Sequence, residues 1–213
     1  MLDRFTWFRQ SAYRFDGDGF TLYIDPWGVT DPQPADAIFI THAHGDHFSM
    51  EDIEKVRKEG TRIFAPRDVA DELSGDVVVV QPGDSVQVGS VTGQAVHAYN
   101  TAEERLEMHP KSNKWVGYVL SLGGNDYYHA GDTDHAPELD EVKADVTFVP
   151  IGGTYTMEVV EAAGLVKSIR PQLAVPMHYG FVVGSPSDAE RFAQEANPVR
   201  VETLTPTNPF ERE

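Results

Sequence analysis

Ile38-Phe39-Ile40-Thr41-His42-Ala43-His44-Gly45-Asp46-His47-Phe48-Ser49 holds three of the chain's eight histidines within six positions. An apolar, β-branched run ends there, and Ser49 opens a helix, with Asp52 three residues on as a weak capping-box partner. The cluster therefore falls on a loop at the C-terminal end of a strand, where α/β architectures place their ligands. His42 and His44 are two apart and point the same way on extended chain. Asp46 and His47 sit where the chain turns into the helix and can face the same cavity from the other side. Imidazoles mixed with a carboxylate suit Zn²⁺, Fe or Mn better than Mg²⁺ or Ca²⁺, which prefer all-oxygen shells.

Outward from this loop, the first third reads as short strands at Leu2–Gln10, Ala12–Phe15, Phe20–Asp25 and Ala37–Ile40, with Asp16-Gly17-Asp18-Gly19 as a hairpin turn. The helix begun at Ser49 is expected to close at Gly60, and a second short helix lies near Asp68–Leu73. The middle returns to strands at Val77–Val80, Ser85–Val88, Val91–Ala98, Val116–Leu122, Asp126–His129 and Asp145–Pro150. A helix at Thr156–Ile169, a strand at Leu173–Pro176 and a helix at Ser187–Ala196 follow. Strands dominate each half and helices follow them, which predicts an α+β chain of two sheets packed face to face with helices outside. No repeat or long linker interrupts residues 1–213, so a single domain is expected.

Composition narrows the chemistry. The chain has 213 residues and no cysteine, which removes thiolate metal sites, disulfides and a cysteine nucleophile. Seventeen Lys+Arg against 34 Asp+Glu give a net charge of −17, a field that repels nucleic acid and anionic membrane surfaces. Only six of the cations are lysines, while 18 of the anions are aspartates, a bias that a high-salt cytoplasm such as that of a halophilic archaeon favours. An ordinary acidic protein is the alternative. No apolar run approaches the roughly 20 residues of a membrane span. The start Met1-Leu2-Asp3-Arg4-Phe5 lacks the order of a signal peptide, so a cytoplasmic location is expected.

His42-Ala43-His44-Gly45-Asp46-His47 resembles the His-x-His-x-Asp-His signature of the metallo-β-lactamase fold hydrolases, and further landmarks follow in order. Asp25-Pro26 resembles the family's early aspartate, which orients a metal-ligating histidine. His129-Ala130-Gly131-Asp132 looks like the Gly-Asp motif whose aspartate bridges two metals. Val175-Pro176-Met177-His178 looks like the terminal strand-end histidine. Pro150-Ile151-Gly152-Gly153-Thr154-Tyr155 resembles a loop of small members akin to the ascorbate-lactonase-like branch.

The resemblance implies a four-layer αββα sandwich of two mixed sheets, with two divalent metal ions, zinc first and Mn²⁺ or Fe as alternatives, on one edge. It implies His42 and His44 on one ion, Asp46, His47 and His178 on the other, and Asp132 between them. The family's third histidine for the first ion does not transfer cleanly. His109, on a long polar loop that can fold over the metals, is preferred, and His97 is the competing choice. Either could be non-ligating. The implied reaction is attack by metal-activated hydroxide on a small ester, lactone or phosphodiester, with Asp46 orienting that hydroxide or carrying its proton.

Lys111, Asn100 and Tyr155 are candidate substrate contacts, Lys111 because a cation in so acidic a chain suits an anionic substrate group. His135 is either an outer donor or a surface histidine. The mouth is expected from the loops Thr101–Lys114 and Phe181–Ser187. Alternatives within the fold are a nuclease, which the acidic balance opposes; a diiron redox protein, whose metal set includes a glutamate where this chain has His44; and a non-catalytic metal-binding member. A homo-oligomer is left open.

Overall fold

The computed structural model describes residues 1–17 and 19–212, and within it twelve strands form two six-stranded sheets. The first holds β1 (Phe5–Arg9), β2 (Ala12–Gly17), β3 (Phe20–Ile24), β4 (Ala35–Phe39), β5 (Arg57–Ala65) and β6 (Asp76–Val79). The second holds β7 (Ser85–Val88), β8 (Val91–His97), β9 (Val116–Leu122), β10 (Asn125–His129), β11 (Val146–Pro150) and β12 (Leu173–Met177). In each sheet the spatial order of the strands follows the sequence order, and antiparallel hairpins give way to parallel strands. Parallel neighbours need crossovers, and these carry the helices: α1 (Met50–Val56) and α2 (Arg67–Ala70) in the first half, α3 (Val159–Ile169) between β11 and β12, and α4 (Asp188–Glu195) after it.

The inner faces of both sheets make one large core. Phe15, Leu22, Phe39 and Phe64 from the first sheet meet Tyr118, Leu120, Tyr127 and Phe148 from the second. Aromatic edges fix the contact: Phe39 stacks on Phe64 at 4.8 Å and meets Tyr118 edge-on at 5.1 Å, while Phe148 lies 4.8 Å from Tyr13. A second cluster on the outer face of the first sheet joins Tyr23, Ile38 and Ile63 to Ile53 and Val56 of α1 and Val69 of α2. Helix α3 buries Ala162, Leu165, Val166 and Ile169, which belong to the same large core as the second sheet. The layers are thus the expected αββα.

Several local readings hold and one fails. Ser49 caps α1, its Oγ accepting from the Asp52 backbone N–H at 3.2 Å. The helix ends at Val56, however, not at Gly60. Arg57 is already extended, and residues 57–65 form β5, the strand that pairs in parallel with β4. Gly60 has φ +85° and lies in a stretch where the β4–β5 register shifts, so its conformational freedom serves an irregularity in a strand rather than a helix stop. The alternation Thr61, Ile63, Ala65 carries the strand signal. Sheet pairing in the core outweighs the helix propensity of the Glu-Lys-rich run before it. Asp18, in the expected hairpin turn, lies outside the described residues. Among the described residues no helix is long and apolar enough to cross a membrane.

Phe148→Ala should cost about 3–5 kcal/mol of unfolding free energy, since it empties space between the sheets. Val160→Ala, at a site 62% exposed on α3, should stay within about 0.5 kcal/mol. Urea denaturation of both variants measures the difference.

Candidate metal centre

Both sheets deliver side chains to one edge of the sandwich. The loop after β4 brings His42, His44, Asp46 and His47. The turn after β10 brings Asp132, and the end of β12 brings His178. Gly131, at φ +64°, makes the turn that aims Asp132 inward, and a Cβ there would sit 3.0 Å from the Val116 carbonyl oxygen. Three non-glycine residues of this region also hold positive φ: Gln10 (46°), Asp25 (48°) and His178 (58°). Strained backbone of this kind persists where surrounding structure over-determines it, and here the His178 N–H donates to the Gln10 carbonyl at 2.9 Å.

Asp132 is the centre of the cluster. Its Oδ2 lies 3.0 Å from His178 Nε2, 3.4 Å from His109 Nε2 and 3.9 Å from His42 Nε2, while Oδ1 lies 3.3 Å from His47 Nε2. His42 Nε2 is 3.1 Å from His44 Nδ1. On the other side Asp46 Oδ2 is 3.6 Å from His178 Nε2 and 3.7 Å from His47 Nε2. Three overlapping donor sets result: His42, His44 and His109; His42, His47 and Asp132; Asp46, His47 and His178.

The donors fit a cation. Ligands at zinc distances of about 2.0–2.1 Å in a tetrahedron stand roughly 3.3–3.4 Å apart, and these contacts bracket that spacing. His47 Nε2, His109 Nε2 and Asp132 Oδ1 are buried polar atoms with no hydrogen-bond partner among the described residues, which is costly unless something charged satisfies them.

Outer partners set the ring orientations. Asp25, fully buried, accepts from His47 Nδ1 at 2.7 Å and from the Thr41 backbone N–H and hydroxyl, both at 2.7 Å, so His47 presents Nε2 to the cluster. Asn100 Oδ1 lies 2.8 Å from His109 Nδ1 and aims the opposite nitrogen inward. Gln10 Nε2 donates to Asp46 Oδ2 at 3.2 Å. The Trp115 indole lies 5.0 Å from the rings of both His42 and His44 and 5.6 Å from that of His109, and Asp68 anchors it by accepting from Nε1 at 2.7 Å.

Charge is balanced inside the cluster. Burial pushes the Asp132 carboxyl up, but His178 and His47 outweigh it and hold the group well below the usual carboxylate range. The same contest leaves Asp46 below that range, its nearest cationic partners being His47 and His178. Burial and the neighbouring His47 lower His42. Burial also lowers His178, but Asp132 beside it raises the imidazole further, to about 9.

The structure gathers His42, His44, Asp46, His47, Asp132, His178 and His109, and leaves His97 outside. His97 ends β8 with its side chain 39% exposed, and its Nε2 lies 3.9 Å from Glu138. Two substrate candidates have partners of their own. Lys111 donates to Glu138 at 2.8 Å and to the Tyr99 hydroxyl at 3.0 Å. Asn100 is buried and bonded to His109, Asp134 and Tyr155. His135 pairs with Asp140 at 2.7 Å toward the surface.

Tyr155 does line the cavity over the cluster, a space of about 230 Å³ walled on its other sides by Met108 and Val182. Gln10, Trp115, Met108 and Val182 escape sequence reasoning, since none carries a ligand-type spacing. Met108 and Val182 do lie within the two loops expected at the mouth.

Residues 4–178 match the beta-lactamase superfamily domain. The chain belongs to the beta-lactamase superfamily. It is a metallo-β-lactamase-fold enzyme of the metal-dependent hydrolase type. A UPF0173 metal-dependent hydrolase of Methanopyrus kandleri is 30% identical over 98% of this chain and 100% of its own length. A crystal structure described as a metal-dependent hydrolase of Parabacteroides distasonis superposes with a TM-score of 0.86 at 29% identity, covering 95% of this chain and 93% of that one. The likeness in fold extends to CmlA, a diiron β-hydroxylase of Streptomyces venezuelae, with a TM-score of 0.74 at 15% identity over 94% of this chain and 52% of that one.

In chelator-treated protein, His178 should stay protonated at neutral pH and titrate near 9. A folded pKa raised above the unfolded value of about 6.5 contributes stability that is complete below pH 6.5 and lost as pH rises through 9. Histidine NMR titration and urea midpoints across pH 6–10 check both parts, and a His178 titration at or below about 6.5 contradicts them.

Proposed function

We propose that this chain is a dinuclear hydrolase of a small ester or lactone, with zinc as the first choice of metal. The observation that carries the reading is the Asp132 carboxylate, buried with one oxygen toward His42, His109 and His178 and the other toward His47. His42, His44 and His109 would hold one cation, Asp46, His47 and His178 the second, and Asp132 would touch both. Five imidazoles and two carboxylates suit Zn²⁺, with Mn²⁺ and Fe as alternatives, over Mg²⁺ or Ca²⁺. When bound, a cation pair in such a site would supply a hydrolytic nucleophile from solvent near neutral pH and polarisation of the scissile oxygen.

The protein's own groups do the rest. Asp46 is the acid–base residue: it stays ionised, Gln10 orients it, and its side chain is 21% exposed where Asp132 is 3%. An ionised carboxylate at the cavity wall can accept a proton from the attacking water and return it to the leaving oxygen. Asp25 and Asn100 keep His47 and His109 in the tautomers that face inward.

The cavity sets the substrate class. Its 230 Å³ equals about eight water volumes, enough for a small molecule only. Beyond the cluster itself the lining is Met108, Tyr155 and Val182, and among the described residues no lysine or arginine lines it. Such walls favour an uncharged, partly apolar acyl or lactone group over a phosphodiester, and the nuclease reading has no cationic surface to support it.

His42→Ala and Asp132→Ala should each lower kcat/KM for a neutral probe such as γ-hexalactone by about 100-fold or more, beyond the 10–100-fold typical of outer partners, and reduce bound metal. Lys111→Ala should leave it within about twofold. Chelation should abolish turnover and Zn²⁺ restore it. Unchanged turnover in either metal-site variant overturns the reading, and an iron absorption band that bleaches on reduction would favour redox chemistry instead.

A further inference from the structure

We infer that Asp134, which makes no contact with the metal-binding cluster, is the positioning residue that fixes the tautomer of His109. The inference rests on the reading of His109 as a ligand, but the hydrogen-bond chain beneath it is independent of any metal. Asp134 is fully buried and accepts four hydrogen bonds. Oδ1 takes the Asn100 amide at 2.9 Å and Arg105 Nε at 2.7 Å, and Oδ2 takes the backbone N–H groups of Thr101 at 2.7 Å and Ala102 at 2.9 Å.

Both carboxylate oxygens are therefore saturated by donors. No acceptor faces the group, so an amide could not replace it without turning an N–H toward another donor. Asn100 is held from the other side as well, since its Nδ2 also donates to the Tyr155 carbonyl at 3.0 Å. With Nδ2 committed to two acceptors, the amide has one orientation, and Oδ1 must face His109. Being an acceptor only, Oδ1 requires a proton on His109 Nδ1, 2.8 Å away, and leaves Nε2 as the nitrogen that faces Asp132.

The same aspartate ties down the loop that carries His109. Thr101 and Ala102 are the first residues of that loop, and Arg105, bonded to Asp134, continues to Glu161 of α3 at 2.7 Å. The Asn100 N–H donates to the His109 carbonyl at 2.8 Å, closing the loop's base. One buried charge thus sets where His109 stands and which nitrogen it offers. Through Asn100 it also reaches Tyr155 on the cavity wall.

Histidine ¹⁵N–¹H spectra of chelator-treated protein test this, together with Zn²⁺ titration against a competing chelator. In the native chain His109 should show a protonated Nδ1. Asp134→Asn should mix the tautomers and weaken one of two zinc equivalents by about 10–100-fold, with the other unchanged. Asn100→Leu, which removes the acceptor, should lose the native tautomer.

A bare Nδ1 in the native chain overturns the inference, as does an Asp134→Asn variant with native His109 signals. If Asp134→Asn does not fold by circular dichroism, the Asn100→Leu spectrum decides in its place. Tautomer mixing without any zinc binding upholds the Asp134 relay and refutes the metal assignment, so the two failures are distinct.

Discussion

A buried carboxylate shared among four imidazoles is the constraint on which the rest of this structure depends. Asp132 is 3% exposed, and an isolated charge at that depth would be driven to neutralise. It stays ionised because His178 and His47 outweigh the burial and His109 bonds it, and the rings of His47, His109 and His42 are braced from behind. Asp25 holds His47, Asn100 holds His109, and Trp115 lies against His42, His44 and His109. Removing one partner from such a set leaves another buried and unmatched, so the cluster succeeds or fails as a unit.

The two-sheet architecture is what allows His47 to meet Asp132, 85 positions on, and His178, 131 positions on. The parallel strands of each sheet end on the same edge, so the loop after β4, the turn after β10 and the tip of β12 open onto common ground. Aromatic contacts between the inner faces fix the separation of the sheets, and with it the distance from His47 to Asp132 and His178. The positive φ angles at Gln10, Asp25 and His178 lie at this edge, each residue bonded to the centre or part of it. Local strain has been accepted where the geometry of the donors demands it.

Much of this was legible in the residues because candidate metal donors leave local signatures: a two-residue alternation for His42 and His44, a Gly-Asp turn for Asp132, and a histidine just past the end of a strand for His178. What was illegible depends on neighbours distant in sequence. Residues 57–60 look helical until β4 is beside them, and then the bulge at Gly60 becomes intelligible. Lys111 looks like an anion anchor until Glu138 and Tyr99 claim its ammonium. Asn100 looks like a substrate contact until Asp134 and the Tyr155 carbonyl take both its donor bonds. Met108, Val182 and Trp115 carry no chemical signature at all; they act by shape and apolar surface, which only the folded loops reveal.

The most direct test is anomalous diffraction from crystals of the zinc-loaded protein. Two zinc peaks about 3.5–4 Å apart are expected, one against His42, His44 and His109 and the other against Asp46, His47 and His178, with Asp132 between them. A single peak that leaves either donor set unused, or zinc located away from Asp132, would contradict the account.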